Sequence, residues 1–227
     1  MNDIKQRFAK VNSQLRHAEL AAERHRGSVQ LLAVSKTKPA ADIVTAYQTG
    51  QRHFAESYLQ EALIKQQALA AFNITWHFIG PIQSNKTKSI AAYFSWVHSV
   101  DRLKIAKRLS EQRPTHLPPL NICLQVNISA EESKSGVTLE QLPQLVSEIN
   151  GLANIRLRGV MAIPEPETEF QLQRQPYNQL YYAVKKLNIS TLDTFSFGMS
   201  GDLKAAIAEG STLVRIGTAL FGARLNQ

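Results

Sequence analysis

The sequence predicts an α/β fold, a single (β/α)8 TIM barrel with an extra N-terminal helix, on three observations. The chain has 227 residues, 44% of them hydrophobic, which suffices for one large core and would be cramped for two domains. Eight short apolar runs alternate with stretches of helical periodicity, the pattern of parallel strands joined by helices. No linker rich in Pro, Gly or Ser divides the chain and no internal repeat is evident, so residues 1–227 read as one domain.

The elements follow in order. An opening helix runs to about Arg24, and the first four strands are LLAVS (31–35), HFAE (53–56), TWHFIG (75–80) and WVHSV (96–100). NICLQVN (121–127), LRGVMAI (157–163), TFSFGM (194–199) and LVRIG (213–217) complete the eight. Between them, Ile43, Val44 and Tyr47 share one helix face, as do Leu142, Leu145, Val146 and Ile149. PEPETE (164–169) reads as a loop leading into a helix. Eight such units close most naturally into a barrel rather than an open sheet.

Composition narrows the function classes. The net charge of +8 attracts anions such as phosphates, but the cations are scattered along helical segments (Lys5, Arg7, Lys10, Arg16; Lys104, Lys107, Arg108) with no aromatic-interleaved basic run. Solvated helix faces explain them better than a nucleic-acid surface does. The first 20 residues are polar and amphipathic, and no stretch approaches the roughly 18 apolar residues of a membrane span. Cys123 is the only cysteine, leaving no internal disulfide and no cysteine metal cluster. A cytoplasmic protein is the expectation. Walker A, G-x-G-x-x-G, H-E-x-x-H and G-x-S-x-G motifs are all absent.

A barrel collects its chemistry at the C-terminal ends of its strands. Lys36 follows LLAVS directly, on the face of Leu32 and Val34, and Pro39 starts the next helix close behind it. A lysine at a partly desolvated mouth can offer a neutral amine to an aldehyde and form an imine; a solvated strand-end lysine is the alternative. Arg215 sits inside the apolar strand LVRIG, where a guanidinium needs an acceptor. That acceptor is either an acidic partner or a pyridine nitrogen, and a permanent cation facing such a nitrogen would disfavour its protonation and weaken the ring as an electron sink.

Phe197 to Asp202 follows the seventh strand and opens a helix (Leu203 to Glu209), and Gly217-Thr218 follows the eighth. Loops in these positions form the common phosphate site of barrels, with backbone N–H groups and the Ser200 and Thr218 hydroxyls as donors. Ordinary helix capping by Ser200 or Asp202 is the alternative, and Asp202 should face away from any phosphate. His77 and His98, on the third and fourth strands, have no carboxylate at ligand spacing and read as packed core or rim histidines rather than a metal or general-base pair.

Taken together, LLAVSKTKP (31–39), WHFIGPIQSNKTK (76–88), VHSVDR (97–102), QVNISAEESKSGV (125–137), RGVMAIP (158–164) and FGMSGDLKAAIAEGSTLVRIGTALFG (197–222) resemble the pyridoxal phosphate homeostasis proteins, over nearly the whole chain. These are single-domain relatives of the alanine racemase N-terminal barrel, the type III fold of proteins that bind pyridoxal 5'-phosphate. The resemblance implies that Lys36 is the Schiff-base lysine and that Arg215 faces the pyridine nitrogen. It places Ser200, Gly201, Gly217 and Thr218 around the phosphate and Met161 beside the ring. At Phe54-Ala55-Glu56-Ser57-Tyr58 the sequence departs from the family's usual Gly-Glu-Asn-Tyr, with Ala55 in place of glycine and Ser57 in place of asparagine. A cofactor contact at Ser57 would have a shorter reach and fewer hydrogen bonds.

The resemblance implies a carrier that holds pyridoxal phosphate reversibly, limits the free aldehyde and influences amino-acid and keto-acid pools. No catalytic residue is assigned. The rival is an amino-acid racemase using Lys36 as one base. Against it stand Arg215, which damps carbanion stabilisation, and the end of this chain at Gln227, without the β-rich domain that supplies a tyrosine in the racemases; Tyr58 is a conceivable substitute. Partners implied are the cofactor itself and transiently the apo-enzymes that use it, with no membrane and no nucleic acid, in a monomer or weak dimer.

Overall fold

The computed structural model describes residues 4–129 and 135–223. Eight parallel strands pair in chain order and close between the last and the first: β1 (Gln30–Val34), β2 (His53–Glu56), β3 (Thr75–Phe78), β4 (Trp96–Val100), β5 (Leu120–Val126), β6 (Ile155–Ala162), β7 (Thr194–Ser196) and β8 (Leu213–Ile216). The expected strands are all present, several ending one to three residues earlier because the terminal residues turn into the mouth loops. Helices α2 (Ala40–Gln48), α3 (Leu59–Ala68), α4 (Thr87–Tyr93), α5 (Leu103–Gln112), α6 (Leu142–Ile149), α7 (Phe170–Lys186) and α8 (Leu203–Ala208) alternate with them, and α9 (Thr218–Phe221) follows β8.

The added helix α1 (Ile4–Ala21) covers the outside near the closure. Ile4, Phe8, Val11, Leu15 and Ala18 recur at three- and four-residue steps and are all buried, and Phe8 meets the Phe221 ring edge-on at 5.7 Å. Its C-terminal end is fastened by a buried carboxylate: Glu19 accepts from the Val29 N–H at 2.8 Å and the Gly27 N–H at 2.9 Å, and pairs with Arg16. That network holds the chain as it enters β1.

Two apolar clusters lie on opposite sides of the sheet. The large one packs the outward strand residues against the helices, with Phe54, Phe78, Val97, Ile122, Val160, Phe195 and Ile216 all essentially buried. The small one, Leu32, Ala55 and Leu213 with Val34 and Ile79, lies inside the barrel. The rest of the lumen is largely polar. His98 on β4 bonds Ser196 on β7, and because those strands are not neighbours the contact has to cross the interior.

Candidate functional site

Lys36 stands two residues beyond the end of β1 and is half-buried. The turn around it is held from outside the barrel. Ser35 donates its N–H to the Ala55 carbonyl at 3.0 Å and its hydroxyl to Glu56 Oε1 at 2.6 Å. Thr37, left-handed at φ 63°, donates its N–H to Glu61 Oε1 at 2.6 Å. Lys65 binds both carboxylates and also the Ser35 carbonyl, at 2.8 Å. A buried ammonium flanked by two carboxylates therefore fixes the residues on either side of Lys36. Lys38 is tied separately, to the Ala223 carbonyl at 2.6 Å.

Arg215 is buried on β8, beside Leu32 in the register of β1. Its acceptors are not acidic. Nη1 donates to the Ser196 carbonyl and, at 2.9 Å, to the Ser196 hydroxyl, and Nη2 donates to the Ala162 carbonyl at 3.0 Å. Burial lowers its pKa, and the negative charge of Asp202 works in the opposite direction. Main-chain carbonyls satisfy two guanidinium nitrogens without neutralising the charge, so the lumen keeps a net cation near its mouth.

The loop after β7 passes through Gly198, whose φ is 84° and whose added Cβ would stand 2.6 Å from the Ala206 Cβ, so only glycine is accommodated there. Asp202 turns into the protein, accepting from Tyr177 Oη at 2.5 Å and from the Met199 N–H at 2.6 Å. Ser200 and Gly201 are exposed, and they share a cavity of about 580 Å³ with Ile216 and Ala219, which bracket Gly217 and Thr218. The two expected phosphate loops are thus brought together. Asp202, tied down as it is, presents no carboxylate against an anion there.

On the other side of the mouth, buried Met161 on β6 pairs in register with Gln125 and Ser196, and lines a cavity of about 340 Å³ with Ile79, Ser99, Arg102 and Gln125. Ser57 follows β2 directly, and its carbonyl is so close to Gly80 that an added Cβ would meet it at 2.0 Å. Ala55 is accommodated in the lumen cluster. Tyr58 is exposed at the start of α3, lining a surface groove with Thr37, Lys38 and Pro39. Of QVNISAEESKSGV, residues 130–134 lie outside the described residues. Among the described residues no group of three or more His, Cys, Asp or Glu is placed to hold a metal, and no helix is long and apolar enough to cross a membrane.

Sequence reasoning overlooked two features. Lys65 was not singled out, and its burial depends on the Glu56 carboxylate of a neighbouring strand. His77 and His98 are buried as expected, but they also hydrogen-bond each other, His53 and Ser196 in a continuous line.

The donor set suits a phosphorylated heteroaromatic aldehyde: a clamped lysine turn, a cation beyond it, and loops after β7 and β8 with no carboxylate directed at an anion. Residues 12–225 match the alanine racemase N-terminal domain model. The chain is 59% identical over 224 residues to the pyridoxal phosphate homeostasis protein of Pseudomonas aeruginosa, covering 99% of this chain and 97% of that one. It is 49% identical over 229 residues to that of Escherichia coli, covering 99% and 98%. Among solved structures, PipY of Synechococcus elongatus with PLP bound superposes with a TM-score of 0.84 at 35% identity, covering 97% of this chain and 100% of that one. With the barrel, the lysine turn and the two loops in place, the chain belongs to the pyridoxal phosphate homeostasis protein family.

Proposed function

We propose that this protein binds pyridoxal 5'-phosphate covalently through Lys36 and serves cofactor homeostasis in the cytoplasm as a carrier rather than as a catalyst. The observation that carries the reading is the pairing of a mouth lysine, its turn clamped by Glu56, Lys65 and Glu61, with buried Arg215. The PLP-bound relative and the names of the curated relatives support the same cofactor. The buried thiol of Cys123, pushed up to about 12 by burial, suits a protein that needs no disulfide.

When bound, the cofactor supplies an aldehyde carbon that a lysine amine attacks with loss of water. The protein's residues do the rest. The clamped turn would present Lys36 at the lumen mouth, Arg215 on the adjacent strand β8 would keep a permanent donor for the ring nitrogen, and Ser200, Gly201, Gly217 and Thr218 would offer hydroxyl and backbone donors to the phosphate. Met161 on β6 and Ser57, just after β2, would border the ring. The cation disfavours a proton on the ring nitrogen, which supports holding over turnover and release to apo-enzymes through transient contact, in a monomer or weak dimer. The effect on amino-acid and keto-acid pools would follow from the level of free cofactor.

A titration with pyridoxal phosphate, followed by circular dichroism of alanine and other amino acids incubated with the loaded protein, tests the reading. Stoichiometric binding with no loss of optical rotation is expected. Sustained racemisation would replace the carrier with the racemase.

A further inference from the structure

Arg215 is the end of a longer line of groups. Arg215 Nη1 donates to Ser196 Oγ at 2.9 Å, and Ser196 Oγ lies 2.9 Å from His98 Nδ1. His98 Nε2 lies 2.9 Å from His77 Nδ1, and His77 Nε2 lies 3.0 Å from His53 Nδ1. The line starts at β8 near the mouth, crosses β7, β4 and β3, and ends on the first residue of β2 at the opposite end of the barrel. All but His53 are buried.

Its polarity follows from the donors each group has. A guanidinium only donates, so Ser196 Oγ accepts from Arg215 and has one proton of its own to place. His98 Nδ1 is the acceptor within reach. With Nδ1 accepting, neutral His98 carries its proton on Nε2 and donates to His77 Nδ1, and the same step passes to His53. The opposite order would leave the buried Ser196 hydroxyl proton without an acceptor, at a cost of about 1–3 kcal/mol.

We propose that Ser196, His98, His77 and His53 are positioning residues for Arg215, forming a one-way hydrogen-bonded chain of Nε2–H imidazoles that fixes the guanidinium in the lumen. The purpose assigned to Arg215 rests on the functional reading above; the chain itself does not. Burial and the Arg215 charge drive the His98 pKa to about 3, and burial with the neighbouring histidines puts His77 well below its usual range, so both rings stay neutral at neutral pH. Trp96 stacks on His77 with ring centroids 5.5 Å apart and an interplanar angle of 12°, covering one face of that ring.

Two measurements separate the parts. In the ligand-free protein labelled with 15N-histidine, long-range proton–nitrogen correlation at pH 7.5 should show His98, His77 and His53 as neutral Nε2–H tautomers. An Nδ1–H signal at His98 or His77 would overturn the chain. In the protein with added pyridoxal phosphate, His98→Leu should shift the visible absorption band and His98→Asn, whose Oδ1 can replace Nδ1 as the acceptor for Ser196, should restore it toward the wild-type position. Should His98→Leu fail to fold, Ser196→Ala gives the same reading, because Arg215 keeps its carbonyl contacts. A band unmoved in either variant would overturn the positioning role. Failure of the wild type to take up pyridoxal phosphate would instead sink the functional reading and leave the tautomer result standing.

Discussion

Lys65 Nζ lies 2.8 Å from the carbonyl oxygen of Ser35, the residue that immediately precedes Lys36. The same ammonium holds Glu56 and Glu61, and Glu61 in turn accepts from the residue after Lys36. A helix thus controls the approach of a loop it does not touch in sequence.

Lys65→Met tests that control. It leaves Glu56 as a buried carboxylate without its cation, and removing one partner of a buried pair costs about 3–5 kcal/mol. Burial already holds the Glu56 carboxyl above its usual range, with Lys65 and Ser35 pulling it back. A carboxyl raised in the folded state binds protons more tightly there than in the unfolded chain, so its penalty is absent at low pH and grows as pH rises through the folded value. The variant should therefore regain stability on acidification toward about pH 4 in urea titrations. A stability profile parallel to the wild type would show that Lys65 does not pair with Glu56.

The histidines act with the opposite sign. A ring whose folded pKa is depressed contributes stability above its unfolded value and loses it as pH falls. For His98 the window runs from about 6.5 in the unfolded chain down to about 3. His98 should contribute a slope of about 1.4 kcal/mol per pH unit within that window, and His77, held well below its usual range by burial, adds in the same direction. His98→Asn should flatten the dependence measured by thermal melts at pH 4 to 7, and an unchanged slope would place the acid sensitivity elsewhere.

Arg215→Leu removes three hydrogen bonds and leaves the carbonyls of Ser196 and Ala162 without these donors, for a loss of about 2–4 kcal/mol. Arg215→Gln keeps a donor and should cost less. In protein loaded with pyridoxal phosphate, both should alter the visible spectrum more than phosphate retention; an identical spectrum would make Arg215 purely structural.

Gly80→Ala should be poorly tolerated, because the added Cβ would stand 2.0 Å from the Ser57 main-chain oxygen and backbone has to move. Lower cofactor affinity together with a drop in melting temperature is expected, since Ser57 is the residue proposed to border the ring. A variant with wild-type affinity would separate Ser57 from the site.

The eight strands were readable because each buried parallel strand is an apolar run bounded by polar turns, and the loops after β7 and β8 because glycines and hydroxyls mark them. The histidine line was not readable in the same way. His53, His77, His98 and Ser196 lie on four strands, and only closure of the barrel brings β4 opposite β7. Arg215 was found as a charge within an apolar strand, but its carbonyl acceptors depend on the register of β6, β7 and β8 and could not be read from residue types. Lys65 was hidden for a similar reason: its helical spacing matches that of any solvated lysine.

Covalent binding at Lys36 is tested most directly by adding pyridoxal phosphate to the purified protein, recording the visible spectrum, reducing with borohydride and mapping the modified peptide. A visible band whose reduced adduct maps to Lys36, and which is lost in a folded Lys36→Ala variant, is the expected result. An adduct confined to another lysine such as Lys38, or no band and no adduct, would contradict the account.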